Sequence, residues 1–167
     1  MSSLQSIYFK YTFIMFIQKI IQSLTKHSVS YALVGGYAVA LHGAFRGTMD
    51  IDLVIQVDEQ AYFNAEQALV GIGLQPRLPV KANEVFHFRD EYINSRNMIA
   101  WSFVNPNNPA EMVDIIITED LENMNTVIKQ GFGLDIQVLA IGDLINMKQK
   151  AGRPQDLEDI KALERLK

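Results

Sequence analysis

Cysteine is absent from the 167 residues of this chain, which excludes disulfide bonds and thiolate metal sites. An excess of basic charge is missing as well: 15 lysines and arginines stand against 19 acidic residues, a formal net charge of −4. The chain as a whole therefore carries no signal for nucleic-acid binding, although a local basic patch remains compatible with it. The lack of cysteine also permits a reducing compartment, and we expect a cytoplasmic protein.

A long uncharged hydrophobic run is missing too. The hydrophobic N-terminal segment is interrupted by Lys10 and Lys19. The uncharged stretch between these lysines falls short of the ~20 residues that a membrane span needs. No small-residue cleavage site follows it, so we expect neither a membrane helix nor a signal peptide. Helical spacing of its apolar side chains instead predicts an amphipathic helix with a buried stripe of Phe13, Phe16, Ile17, Ile20, Ile21 and Leu24.

The length fits one domain, and an apolar content of 49% is enough for a substantial core. Met15 is a candidate start of the biological chain. In that case residues 1–14 are an N-terminal extension, and residues 15–167 form a single domain whose C-terminal helices begin at about residue 141.

Periodicity along the chain predicts strands and helices in alternation. The predicted strands are Tyr31–Val34, Asp50–Val57, Glu84–Arg89, Met98–Val104, Met112–Ile117 and Asp135–Leu139. The predicted helices after the first are Tyr37–His42, Glu59–Gly71, Asp120–Lys129, Gly142–Lys150 and Pro154–Leu166. This order predicts a mixed α/β (α+β) domain with one mixed sheet, flanking helices and a short C-terminal helical tail.

Asp50 and Asp52 are the central chemical feature of the sequence. Residues two apart on a strand point to the same side, so both carboxylates should project together while Ile51 and Leu53 enter the core. Neighbouring anions repel each other, and a divalent cation such as Mg²⁺ relieves that repulsion. A solvent-exposed strand face is the competing interpretation of an isolated Asp-x-Asp.

Two further features favour a metal site over an exposed face. Gly35 and Gly36 stand between a predicted strand and a helix, where glycine lets the backbone approach a ligand closely and helix N–H groups face a phosphate. Asp114 interrupts an apolar strand, and an unpaired buried carboxylate is unfavourable. If its strand lies beside that of Asp50, Asp114 becomes a third metal ligand or a general base; otherwise an arginine pairs with it.

The order Gly35-Gly36, Asp50-Ile51-Asp52 and Asp114 resembles the nucleotidyltransferase superfamily typified by DNA polymerase beta. More narrowly, residues 31–43, 46–52 and the tail around Lys148 and Gly152–Leu163 resemble small stand-alone bacterial members. These include the AbiEii type of phage-defence protein and related toxin or antitoxin transferases.

The resemblance implies transfer of a nucleoside monophosphate from an NTP to an acceptor hydroxyl on RNA, protein or a small molecule. Asp50, Asp52 and Asp114 would bind Mg²⁺ or Mn²⁺, and Asp114 would accept the proton of the attacking hydroxyl. Gly35 and Gly36 would lie against the triphosphate. A place in a toxin–antitoxin or phage-defence system, with a partner protein, is also implied.

Flanking residues have two interpretations each. Arg46 pairs either with phosphate or with Asp50. Thr48 either contacts the phosphates or caps a loop. Lys148 either reaches the triphosphate or lies on a solvated helix face. For Arg153 and Asp156 a local ion pair is favoured. We also expect a packed, hydrogen-bonded His42, a core Trp101, and ordinary surface charge at Arg77, Lys81, Arg89 and Arg96.

Two functions of different classes follow. An active nucleotidyltransferase needs all three acids, and all three are present. A catalytically silent binding protein, such as a toxin or antitoxin subunit that keeps the fold, does not need them.

Overall fold

The computed structural model describes residues 3–167, and for residues 3–10 and 13 it describes the backbone without the side chains. Helix α1 (Ser3–Lys26) opens this part of the chain. The predicted apolar stripe is buried from Phe16 to Leu24, while the side chain of Phe13 lies outside the described part. Residues 1–2 of the predicted extension also lie outside it, and the extension itself stays a prediction. None of the helices described between residues 3 and 167 is long and apolar enough to cross a membrane.

Seven strands form one mixed sheet in the described part of the chain, which confirms the predicted fold class. The order across the sheet is β3-β4-β5-β2-β1-β7-β6. Pairing is parallel between β2 and β5 and between β1 and β7, and antiparallel elsewhere. The strands are β1 (Tyr31–Leu33), β2 (Ile51–Ile55), β3 (Gln75–Pro76), β4 (Ala100–Asn105), β5 (Asn108–Ile116), β6 (Thr126–Gly131) and β7 (Leu134–Leu139).

Helices flank this sheet, and the last two form a packed pair. They are α2 (Gly35–Leu41), α3 (Glu59–Gly71), α4 (Ala82–His87), α5 (Arg89–Arg96), α6 (Ile141–Ala151) and α7 (Pro154–Glu164), with a short 3₁₀ turn at Leu121–Asn123. The α6–α7 pair corresponds to the predicted tail, and α2 and α3 lie close to their predicted positions.

One face of the central strands is apolar and the other carries the polar side chains. Ile51, Val113 and Trp101 are fully buried on the apolar face, where Tyr62 of α3 stacks on Trp101 with ring centroids 6.0 Å apart. The intervening residues of the same strands point to the opposite face because side chains alternate along a strand. This alternation places Asp52, Asp114 and Ser102 together on the polar face.

The predicted strand Glu84–Arg89 is wrong, because these residues belong to α4 and to the start of α5. Its alternating apolar residues imitated a strand pattern. A local helix-start signal is present instead: the Glu84 side chain accepts a hydrogen bond from the backbone N–H of Lys81, at 2.9 Å. Such a contact satisfies a donor that the first helical turn leaves unpaired.

The predicted helix Asp120–Lys129 is also wrong. A 3₁₀ turn occupies Leu121–Asn123, and β6 begins at Thr126. Asp120 caps the start of this turn: its side chain accepts bonds from the backbone N–H groups of Glu122 and Val57, each at 3.1 Å. The β-branched residues that follow then pair with β7 in an antiparallel ladder.

Candidate active site

Asp52 and Asp114 are direct neighbours across two parallel strands. Asp52 of β2 is the register partner of Asp114 of β5. On the far side of Asp114, Ser102 of β4 is its antiparallel partner. Asp50 is exposed and comes immediately before β2, so the sheet brings all three predicted acids to one region.

Gly35 provides the space that the Asp52 carboxylate occupies. A Cβ atom on Gly35 would stand only 2.7 Å from the Asp52 Cγ, closer than packed atoms approach. The backbone holds the two residues together, since the Val34 N–H donates to the Asp52 carbonyl at 2.9 Å. Gly35 also has a φ of +65°, which favours glycine. The glycine pair therefore brings bare backbone up to the acids.

Thr48 lies against the second glycine. A Cβ atom on Gly36 would be 2.6 Å from the Thr48 Cβ. The Tyr37 hydroxyl donates to the Thr48 carbonyl at 2.7 Å, which ties the loop before Asp50 to α2. Burial, with Asp50 as a second cause, raises the pKa of Tyr37, so the phenol keeps the proton that it donates.

The pKa values of Asp52 and Asp114 are both raised. Burial raises the pKa of Asp52 to about 7, with Asp114 and then Asp50 as further causes. Burial also raises the pKa of Asp114, although the Ser102 side chain and the charge of Arg77 oppose this rise. Such shifts arise when carboxylates are desolvated together without a counter-charge.

Asp114 also carries an orphaned atom, because its Oδ1 is buried and has no hydrogen-bond partner. A buried carboxylate oxygen normally accepts a hydrogen bond, and an oxygen without one is explained by a proton, water molecule or ion that the structure does not contain. Between residues 3 and 167, no group of three or more histidine, aspartate or glutamate side chains is already gathered closely enough to hold a metal ion. Asp52 and Asp114 therefore fit a divalent cation as a pair, and exposed Asp50 would have to turn towards them.

An ionic cluster made of Arg46, Lys148, Arg153, Asp156 and Asp159 borders the acids. The Lys148 ammonium is buried and lies 2.7 Å from Asp159 Oδ2 and 3.5 Å from Asp156 Oδ1. Neither sequence interpretation anticipated this burial: Lys148 is not on a solvated face, and two carboxylates already engage it. Its contact with the triphosphate stays a prediction.

Arg46 and Arg153 complete the ionic cluster. The Arg46 Nε lies 3.2 Å from Asp159 Oδ1 instead of pairing with Asp50. The Arg153 Nε lies 2.8 Å from Asp156 Oδ2, which confirms the predicted local ion pair. Arg153 and Lys148 also lower the pKa of Asp52 electrostatically. The cluster is therefore close enough to influence the acids.

The structure also agrees with the sequence interpretations of Trp101, His42, Arg89 and Arg96. Trp101 is fully buried, and the His42 Nε2 lies 2.8 Å from the Leu139 carbonyl oxygen, so both are packed residues as predicted. Arg89 donates to the Ile117 carbonyl at 2.6 Å and Arg96 pairs with Glu91, which favours ordinary surface charge over a basic face.

Sequence reasoning missed Ser102 and Asp159. A serine between two aromatic residues on a predicted strand signals a polar position opposite the core, which would have indicated Ser102. Asp159 lies in the tail that carries the family resemblance, but no local pattern signals its contact with Arg46, which is 113 residues away in the chain.

Several solved structures share this fold. The antibiotic-resistance factor ANT(2″)-Ia in complex with adenylyl-2″-tobramycin has a TM-score of 0.60 at 12% identity, covering 91% of this chain and 87% of that one. The lincomycin-bound lincosamide adenylyltransferase LnuA has a TM-score of 0.57 at 16% identity, covering 92% and 97%. An antigenic nucleotidyltransferase-like protein from Paracoccidioides brasiliensis has a TM-score of 0.56 at 18% identity, covering 91% and 76%. These identities establish a shared fold only.

No curated protein matches the chain in sequence. A family match nevertheless covers nearly all of it, from residue 12 to residue 166, and includes the glycine pair, the three acids and the ionic cluster. With the fold and this match in agreement, the chain belongs to the family described as nucleotidyltransferases of unknown function, DUF6036.

Proposed function

We propose that this protein transfers a nucleoside monophosphate from an NTP to an acceptor hydroxyl in a reaction that depends on a divalent metal ion. The single observation that carries the proposal is the register pair of Asp52 and Asp114, with Asp50 next to it. The pKa of about 7 at Asp52 and the orphaned oxygen of Asp114 both indicate a site that lacks a positive charge. A cation supplies that charge.

Asp50, Asp52 and Asp114 would hold Mg²⁺ or Mn²⁺, both of which prefer oxygen ligands. When bound, the metal would neutralise charge on the phosphates and on the attacking oxygen. The glycine backbone at Gly35 and Gly36 would lie against the triphosphate, with Thr48 and Arg46 beside it.

In the proposed reaction, the acceptor oxygen forms a bond to the α-phosphorus of the NTP. The bond from the α-phosphorus to its bridging oxygen breaks, and pyrophosphate leaves. Asp114 accepts the hydroxyl proton, a role that its position beside Asp52 supports. Most of the acceleration would come from positioning and from charge neutralisation.

The acceptor is a separate proposal. One fold neighbour, LnuA, is named an antibiotic adenylyltransferase, and another, ANT(2″)-Ia, was solved with adenylyl-2″-tobramycin, which supports a small hydroxylated acceptor molecule. RNA and protein acceptors are the alternatives. We further propose a cytoplasmic protein, and the AbiEii resemblance supports a toxin–antitoxin or phage-defence role with a partner protein.

The second candidate is a catalytically silent protein that keeps the fold and acts by binding. The presence of Asp50, Asp52 and Asp114 favours the enzyme, because a silent protein gains nothing from three neighbouring carboxylates that repel each other. NTP binding without any transfer to any acceptor fraction would favour the silent protein.

The test uses NTPs labelled at the α- or the γ-phosphate, Mg²⁺, and separate RNA, protein and small-molecule fractions. We expect the α-label, and not the γ-label, to appear in one fraction. Asp50→Asn and Asp52→Asn should abolish this transfer while the melting temperature stays at or above that of the unaltered protein. Asp135→Asn, at an exposed position on β7, is the matched control and should keep full activity. Undiminished transfer by Asp52→Asn would refute the mechanism.

A further inference from the structure

The connection between α6 and α7 presents an arginine beside the acids on a constrained backbone. Gly152 ends α6 with a φ of +64°, and its N–H donates to the Lys148 carbonyl at 2.9 Å. Pro154 begins α7 and restricts the residue before it to extended conformations. Arg153 lies between them with φ −70° and ψ 153°, as this restriction requires. The backbone that carries Arg153 is therefore ordered before any ligand binds.

The side chain of Arg153 is oriented as well. Its Nε and Nη2 donate to the two oxygens of Asp156 at 2.8 and 3.3 Å, and its backbone N–H donates to the same carboxylate at 3.1 Å. Asp156 itself is only 1% exposed. A bidentate contact to a buried carboxylate restricts the rotation of the guanidinium plane. Despite these bonds the Arg153 side chain remains 74% exposed and accessible to a ligand.

Lys148 shares the contact with Asp156 but differs from Arg153 in its burial. Its side chain is only 7% exposed and its ammonium contacts Asp156 and Asp159. Moving this ammonium to a ligand would leave two buried carboxylates without their counter-ion, which is strongly unfavourable. Lys148 therefore suits a structural role, in which it neutralises the carboxylates that orient Arg153 and Arg46.

The charge of the ionic cluster completes the argument. Three cationic side chains face two carboxylates, so one positive charge is in excess. This excess lies within electrostatic reach of Asp52. A ligand that meets both Asp52 through a metal ion and the ionic cluster directly must carry several negative charges, and a triphosphate does.

We propose that Arg153 binds the β- and γ-phosphates of the nucleotide, and that Lys148, Asp156 and Asp159 position it. This inference rests on the proposed nucleotidyltransferase function. Arginine suits the task because its planar fork matches phosphate oxygens in a bidentate manner. The contact would hold the phosphates that leave as pyrophosphate, on the far side of the α-phosphorus from the acceptor.

The experiment is calorimetric titration of the full chain, with Mg²⁺, by a non-hydrolysable NTP analogue and by the matching nucleoside monophosphate. Arg153→Gln should weaken analogue binding about tenfold and monophosphate binding less than twofold, because the monophosphate lacks the contacted groups. Arg153→Lys should lose less than Arg153→Gln. Lys150→Gln, from the exposed face of α6, is the control and should change neither affinity.

The melting temperature of each variant is measured in parallel. Arg153→Gln should fold normally, since Lys148 remains beside Asp156. Equal weakening for both ligands, or unchanged analogue binding, would overturn the assignment of Arg153. If the unaltered protein bound no nucleotide, the proposed function would fail first, so the two failures are distinguishable.

Discussion

The carboxylate of Asp52 occupies the volume that a side chain on Gly35 would need. The Asp52 Cγ and Cβ would lie 2.7 and 2.9 Å from a Cβ added to Gly35. The glycine that begins α2 and the acid on β2 are thus fitted to each other, and a change at either residue displaces the other. Four predictions follow from this fit and from the charges around it.

Gly35→Ala should reduce transfer activity about 100-fold, because displacing a reacting group by about 1 Å costs that much. Gly73→Ala is the matched control: Gly73 also has a positive φ, of +93°, but nothing lies within 4 Å of an added Cβ. Both variants should lose about 1 kcal/mol of unfolding free energy from backbone strain, and Gly35→Ala should lose more through the steric clash. Urea unfolding and initial rates measure both quantities. Equal activity in the two variants would contradict the fit.

Asp52→Asn should stabilise the metal-free protein at high pH. Asp52 has a pKa of about 7 in the fold against an ordinary value of 3.8, so the folded state binds its proton more tightly than the unfolded chain does. Stability from this group is therefore fully present below pH 3.8 and is lost as the pH rises through 7. The asparagine variant avoids that loss.

Thermal unfolding in EDTA at pH 5 and pH 8 measures this difference. We expect the Asp52→Asn variant to melt about 5 °C above the unaltered protein at pH 8, after allowance for partial solvent screening, and the gap to shrink at pH 5. Mg²⁺ should remove the gap by stabilising only the unaltered protein. A lower melting temperature for the variant at pH 8 would show that the charged Asp52 carboxylate does not destabilise the metal-free fold.

Ser102→Ala should lower kcat by roughly 10-fold and leave the KM for NTP unchanged, because the Ser102 side chain hydrogen-bonds to Asp114, which in the proposed site binds the metal ion and accepts the proton. Ser102→Thr keeps the hydroxyl and should restore most of the rate. Steady-state kinetics at saturating NTP separate the two constants. A rise in KM with kcat unchanged would place Ser102 at the nucleotide instead.

Lys148→Met should destabilise the fold by about 3–5 kcal/mol, since it leaves Asp156 and Asp159 buried without their shared counter-ion. Lys150→Met, two residues along the same helix, removes an exposed ion pair and should change stability by less than about 1 kcal/mol. Denaturant unfolding compares them. Similar values for both variants would show that the ionic cluster is not a buried network.

Local patterns were sufficient to predict the parts of the site that lie on single strands. The alternation at Asp50-Ile51-Asp52 predicts which side chains share a face, and Asp114 stands out because it interrupts apolar residues. The register of Asp52 with Asp114 was not predictable in the same way, since it depends on how two distant strands align. Periodicity describes one segment at a time and carries no information on pairing between segments.

The error over residues 120–129 has the same origin, whereas the error at Glu84–Arg89 came from the local pattern of its apolar residues. Thr126–Gly131 is a strand because β7 supplies a partner for each of its residues, whereas alone it resembled the end of a helix. Asp159 joins the site through the fold of α7 over the loop that carries Arg46. Long-range pairing and long-range charge contacts, both products of tertiary structure, account for what the sequence did not show.

Parallel pairing of β2 with β5 requires an excursion of the intervening chain, so that both strands run in the same direction. Helices α3, α4 and α5 and strands β3 and β4 all belong to that excursion. Under the proposed function, insertions in the loops of this excursion, away from β4 and its Ser102, would change the surface beside the acids while Asp52 and Asp114 kept their register. Variation confined to those loops would then change the choice of acceptor and leave the phosphorus chemistry unaltered.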